Sequence, residues 1–147
     1  MKAVQLPRIA LVLGLAGVLP QVLALFATYN EADRFTGLAA GYFYATLIFS
    51  FLGGLWWGIA VSHEDAPDGL YVAAIVPSLI AFASGIPWMT GATWPGPSLG
   101  LLGLALLIAP VVDWRLAGLG LVSPSLLRLR VVLTLVLGGL TLALATR

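Results

Sequence analysis

The sequence predicts an all-α membrane protein: a bundle of five transmembrane helices with its N-terminus cytoplasmic and almost no soluble domain. Three observations predict this. Of 147 residues, 61% are hydrophobic and only 9% are charged. Soluble domains carry roughly 25% charged residues, so this chain lacks the polar surface to cover a globule in water. The charges also cluster, at Lys2 to Arg8, Glu31 to Arg34, His63 to Asp68, Asp113 to Arg115, Arg128 to Arg130 and at Arg147. Between the clusters lie apolar stretches close to the roughly 20 residues needed to cross a hydrocarbon core.

The same composition excludes several classes of function. No basic run exists that would neutralise a series of phosphates, so no nucleic-acid partner is expected. The absence of cysteine removes disulfides, thiolate chemistry and iron–sulfur ligation. No phosphate loop, zinc-ligand spacing or Ser-His-Asp order is present. The expectation is therefore a protein that is not an enzyme and uses no cofactor or metal.

Taken in order, the first span covers residues 9–29. Met1 to Arg8 resembles the positive start of a signal peptide. The apolar run behind it exceeds the roughly 7–15 residues of a secretory core, and no small-x-small cleavage site follows, so a retained helix is expected. The second span covers 38–61, the third 70–89, the fourth 95–112 and the fifth 126–145. The fourth is short and flanked by prolines. The fifth places Arg128 and Arg130 at the interface. Ala117 to Val122 is apolar and is expected to lie along the membrane surface or tuck against the bundle.

Five spans put the chain ends on opposite sides. Side A holds Lys2, Arg8, Arg115, Arg128 and Arg130, whereas side B holds Arg34 and Arg147. Basic residues are retained on the cytoplasmic side and acidic ones count for little. Side A is therefore expected inside, with the N-terminus in and the C-terminus out. Trp and Tyr favour the lipid–water interface. Trp56, Trp57, Tyr71 and Trp114 fall near side A, and Tyr29, Tyr42, Tyr44, Trp88 and Trp94 near side B.

Helices associate in lipid through close packing of small residues. Thr46, Ser50, Gly54 and Gly58 recur at i+4 in the second span, and Gly53 lies beside them. Gly37 and Gly41 form a second small-xxx-small pair. The third span offers Ala74, Ser78, Ala81 and Gly85. These two faces are expected to form the central helix contact. Pro20, Pro77 and Pro110 fall within spans, each removing one backbone hydrogen bond. Static bends are the favoured reading of these prolines, and a hinge or cavity wall is the alternative.

Intramembrane charge usually marks function, and here no charge falls clearly at mid-membrane. The candidates lie near side A. The favoured reading of Arg128 and Arg130 is anchoring of the interface. A pair between Asp113 and Arg128 or Arg130, which would hold the fourth and fifth spans in register, is an alternative. So is a grip of the two arginines on an anionic lipid headgroup. His63, Glu64, Asp65 and Asp68 form an acidic loop without a metal-binding spacing, and Asp68 is expected to cap the third helix.

The second span carries a resemblance. Ala40-Gly41-Tyr42, and Phe51-Leu52-Gly53-Gly54-Leu55-Trp56-Trp57-Gly58 after it, resemble the signature of a bacterial membrane family of unknown function. That family includes the mitochondrial transmembrane protein 69 and is known as domain of unknown function 3429. Gly17-x-x-Pro20, Val76-Pro77-Ser78-Leu79, and Leu127-Arg128-Leu129-Arg130 followed by Leu133-Thr134 extend the resemblance over nearly the whole chain. The chain departs from the family pattern at Trp56, where members often carry a polar or basic residue, and at Pro124-Ser125-Leu126. The resemblance implies a small polytopic inner-membrane protein and supplies no activity. Helix number and tryptophan content also resemble the tryptophan-rich sensory proteins, in architecture only, since their motifs are absent.

The role expected from these features is that of an accessory subunit or assembly partner of a larger membrane complex, or of a self-associating protein. The alternative is a binder or carrier of a lipid, quinone or tetrapyrrole. On that reading Pro20, Pro77 and the Trp56–Trp57 pair line a cavity between the second, third and fourth spans, which opens towards Arg128 or Asp113, with Arg130 a further candidate contact.

Overall fold

The computed structural model describes residues 6–147, so Lys2 of the first basic cluster lies outside the described residues. Eight helical segments follow one another: α1 (Arg8–Ala16), α2 (Leu19–Ala27), α3 (Arg34–Val61), α4 (Asp68–Ser84), α5 (Ile86–Thr90), α6 (Gly96–Ile108), α7 (Pro110–Gly118) and α8 (Pro124–Ala145). They make five runs long and apolar enough to cross a membrane: Arg8–Ala27, Arg34–Val61, Asp68–Thr90, Gly96–Gly118 and Pro124–Ala145. Among the described residues there is no strand.

Three spans are broken, each where a proline sits in the first turn of the segment that follows. Pro20 is the second residue of α2, Pro87 the second of α5 and Pro110 the first of α7. A first-turn proline loses nothing, since its missing N–H has no intrahelical partner there. Pro77 lies inside α4 without interrupting it.

The ends of the spans differ from the sequence reading in physically informative ways. The second span begins at Arg34 rather than Leu38, and the fourth runs to Gly118. Charge at Asp113 does not end the helix, because that carboxylate is buried in protein rather than placed in lipid. The turn comes at Gly120, in the left-handed region at φ 74°, which glycine adopts without strain. Ala117 is the penultimate residue of α7, and Val122 is buried against the bundle. Asp68 is not the cap of α4. Pro67 occupies that position, and Asp68 sits in the first turn, where its charge complements the helix dipole. Ser123 does cap α8, accepting from the Leu126 N–H at 3.4 Å.

Buried positions alternate at three and four residues in four of the spans. They are Tyr42, Ala45, Phe49, Leu52 and Trp56 in α3, and Leu70, Ala74, Pro77, Ala81 and Ser84 in α4. In the fourth span they are Leu99, Leu102, Leu106, Ala109, Asp113 and Leu116, and in α8 Arg130, Thr134, Leu137, Thr141 and Leu144. That spacing keeps a seam on one face of neighbouring helices. The broadest helix contacts are α3 with α4 and α6 with α8.

The expected pairing of the second and third spans is therefore present, but half of the expected face points the other way. Gly53 packs inward, where an added Cβ would run into the Ala74 carbonyl and lie 3.3 Å from Pro77. Gly54 and Gly58 are exposed, with nothing within 4 Å of an added Cβ. Ser78 is exposed as well, Thr46 and Ser50 are half-buried, and Gly85 lies beside the Tyr42 hydroxyl. Gly37 and Gly41 pack inward, on Ala24 and Leu144. The sequence reading missed a reciprocal contact between α6 and α8. There Leu142 rests 2.7 Å from a Cβ built at Gly103, and Leu107 2.8 Å from one at Gly138.

Candidate functional site

Three spans bring polar side chains to one level near side A. Trp56 and Asp113 each lie five residues before the ends of their helices, and Arg130 lies six residues after the start of α8. At 1.5 Å per residue these are all about 8–9 Å inside the bundle end. Each occupies a seam position, so the fold turns all three toward a common point. Asp113 is 0% exposed, Trp56 3% and Arg130 5%.

At that point Asp113 Oδ1 accepts from Trp56 Nε1 at 2.8 Å and lies 2.7 Å from Arg130 Nη2. Arg130 therefore answers the question left by the sequence: it, and not Arg128, neutralises Asp113. Its N–H bonds do not point straight at the oxygen, so the contact is an ion pair rather than a directed hydrogen bond. Asp113 Oδ2 and Arg130 Nε have no protein partner. The pair joins the fourth and fifth spans, and the indole adds the second. A carboxylate with both a cation and an N–H donor is stable in apolar surroundings where a lone one is not.

The structure separates the remaining candidates. Arg128 is exposed and carries no ion pair or hydrogen bond among the described residues. Trp57 is 44% exposed and meets Tyr71 edge-on at 5.3 Å. Trp56 belongs to the core, not to an interfacial belt. On side B, Tyr42 and Tyr44 also turn inward. Tyr42 shares a hydrogen bond with Ser84 at 3.1 Å, and Tyr44 donates to the Gly17 carbonyl. Trp88 and Tyr29 remain exposed there. His63 lies outside the bundle, its Nδ1 2.9 Å from the Ile59 carbonyl.

Two polar contacts give no sequence signal beyond their seam spacing. Gln21 is fully buried and donates through Nε2 to Thr141 Oγ1 at 2.8 Å, tying the first span to the fifth. Ser84 accepts at its carbonyl from Ser98 at 2.7 Å, linking the third and fourth spans. At side B, Arg147 donates to Thr28 Oγ1 at 3.2 Å and stacks 3.9 Å over the Tyr29 ring.

Between the second, third and fourth spans lies an apolar groove of about 620 Å³, with Phe49, Trp56, Pro77, Ile80, Ala105 and Val112 among its lining. Trp56 thus presents one side to the groove while its N–H reaches Asp113 behind. A second groove of about 550 Å³ runs between α7 and α8, past Trp114 and Arg128.

Five apolar helices joined by short loops, with the polar contacts turned inward, define a multi-pass membrane protein. The family model described as "Protein of unknown function (DUF3429)" matches residues 6–146, and the chain belongs to that family. No curated protein and no solved structure matches it.

Proposed function

We propose that this chain is a non-enzymatic protein of a bacterial inner membrane that works by helix–helix contact, as an accessory subunit or assembly partner of a larger complex. What supports the reading is the outward turn of Gly54 and Gly58. Among the described residues, nothing lies within 4 Å of a Cβ built at either glycine. A small-xxx-small ridge facing lipid lets a second helix approach closely enough for backbone-level van der Waals contact. A ridge already filled from within would offer no such surface. Purification under mild detergent tests this with the wild type and a Gly54→Ile/Gly58→Ile variant. A stoichiometric partner, or a second copy, is expected with the wild type and lost with the variant. A strictly monomeric wild-type protein with no companion would overturn the reading.

A second reading, binding of a small hydrophobic molecule, is favoured by the groove between the second, third and fourth spans. Its volume lies within the range of roughly 300–1,000 Å³ typical of ligand sites. Trp56 in its wall makes occupancy observable. Titration with a quinone is expected to quench indole fluorescence in the wild type and much less in Trp56→Phe. Equal quenching of the two would remove this reading.

A further inference from the structure

Arg128 and Arg130 stand two residues apart, about 200° around the helix, and the fold gives them opposite surroundings. Arg130 is buried and neutralised by Asp113. Arg128 is exposed, without a counter-charge among the described residues, and lines the groove between α7 and α8. Among the described residues it is the single charged one of that lining, which is otherwise Trp114 and apolar side chains such as Pro110, Val111, Val131 and Val132. Trp114 is 74% exposed, and an indole so placed sits at the level of lipid carbonyl and headgroup. Arg128 lies four residues into α8, about 6 Å from its start.

A cation, an interfacial indole and an apolar trough at one bundle end match the parts of a glycerophospholipid in order: phosphate, ester region and acyl chain. We propose that this groove is a binding site for an anionic glycerophospholipid, one acyl chain lying along Val131 and Val132 and the phosphate on the Arg128 guanidinium. Planar guanidinium donors suit phosphate oxygens. The groove opens on the bilayer, so the occupant is always at hand. With Asp113 and Arg130 cancelling each other, Arg128 is the charge that faces this groove among the described residues. A headgroup with uncompensated negative charge fits that cation better than a zwitterionic one, which brings its own cation.

The test is native mass spectrometry of the full chain in neutral detergent, offered equal amounts of dioleoyl phosphatidylglycerol and dioleoyl phosphatidylcholine. The wild type is expected to retain phosphatidylglycerol about fivefold over phosphatidylcholine, as one basic residue near an anionic headgroup supports. Arg128→Gln should bring the ratio near one, Arg128→Lys should keep most of it, and Val132→Trp, which fills the groove, should reduce retention of both lipids. Arg115→Gln, outside this groove, should leave the ratio unchanged. An even ratio in the wild type would overturn the proposal without reference to any variant. So would a preference that survives Arg128→Gln, or retention indifferent to Val132→Trp.

Discussion

The Asp113 carboxylate lies 2.7 Å from the Arg130 guanidinium and ties the fourth span to the fifth inside an apolar bundle. Because both partners are almost wholly buried, the two charges depend on each other. Removing one leaves the other uncompensated. In soluble proteins that loss costs about 3–5 kcal/mol, whereas replacing both by apolar residues is often neutral. Asp113→Leu and Arg130→Met are each expected to lower the thermal unfolding midpoint in detergent sharply, and the double variant to recover most of the loss. A double variant as unstable as the sum of the singles would show that the two do not act as a pair.

Trp56 contributes an N–H to the same carboxylate. Trp56→Phe keeps an aromatic ring in the seam but deletes the donor. Hydrogen bonds to charged groups are worth about 1.5–3 kcal/mol, and the variant is expected to lose stability in that range. The loss should largely disappear in an Asp113→Leu/Arg130→Met background, where no acceptor remains. Equilibrium unfolding of the four proteins measures the coupling.

Gln21 and Thr141 give an asymmetric prediction. Gln21 Oε1 has no partner while Nε2 donates to Thr141. Gln21→Leu removes an imperfectly satisfied amide and is expected to be close to neutral. Thr141→Val strands the whole amide and should cost about 1–2 kcal/mol, near the upper end for a polar contact between membrane helices. Unfolding midpoints of the two variants should therefore differ in this order.

The distribution of basic residues predicts an orientation with the N-terminus cytoplasmic. Arg130 is absorbed by its ion pair, yet Lys2, Arg8, Arg115 and Arg128 still outnumber Arg34 and Arg147. Cysteines introduced at Glu64 and Asn30 should react with membrane-impermeant maleimide from the cytoplasmic and the opposite face respectively. The reverse pattern would invert the assignment.

Much of the fold is legible in the sequence because hydropathy and length decide spans almost by themselves. The partnership of Asp113 with an arginine of the fifth span is legible only as an alternative, since two guanidinium groups near a bundle end read first as interface anchors. What is not legible is which way each helix faces. Thr46, Ser50, Gly54 and Gly58 repeat at strict i+4, and each such step turns about 40° around a helix of 3.6 residues per turn. Such a line drifts off any fixed face. The inward seam through Tyr42, Ala45, Phe49, Leu52 and Trp56 alternates three and four, and that alternation was the better signal. It would also have placed Trp56 in the core, Asp113 and Arg130 opposite each other, and Thr134 and Thr141 inside. Glycine occurs in both patterns, so Gly53 and Gly54 look alike in sequence and differ only once the third span is packed.

Those adjacent glycines provide the most direct test, through the paired variants Gly53→Ala and Gly54→Ala, each measured for thermal stability and for partner retention in mild detergent. Gly53→Ala should destabilise the bundle by about 1–3 kcal/mol, as overpacking does, because its methyl group meets the Ala74 carbonyl. Gly54→Ala should leave the isolated protein within about 0.5 kcal/mol of wild type yet weaken partner retention. Equal stability of the two variants, or a Gly54→Ala protein that is unstable on its own, would contradict the outward-facing ridge and the function proposed for it.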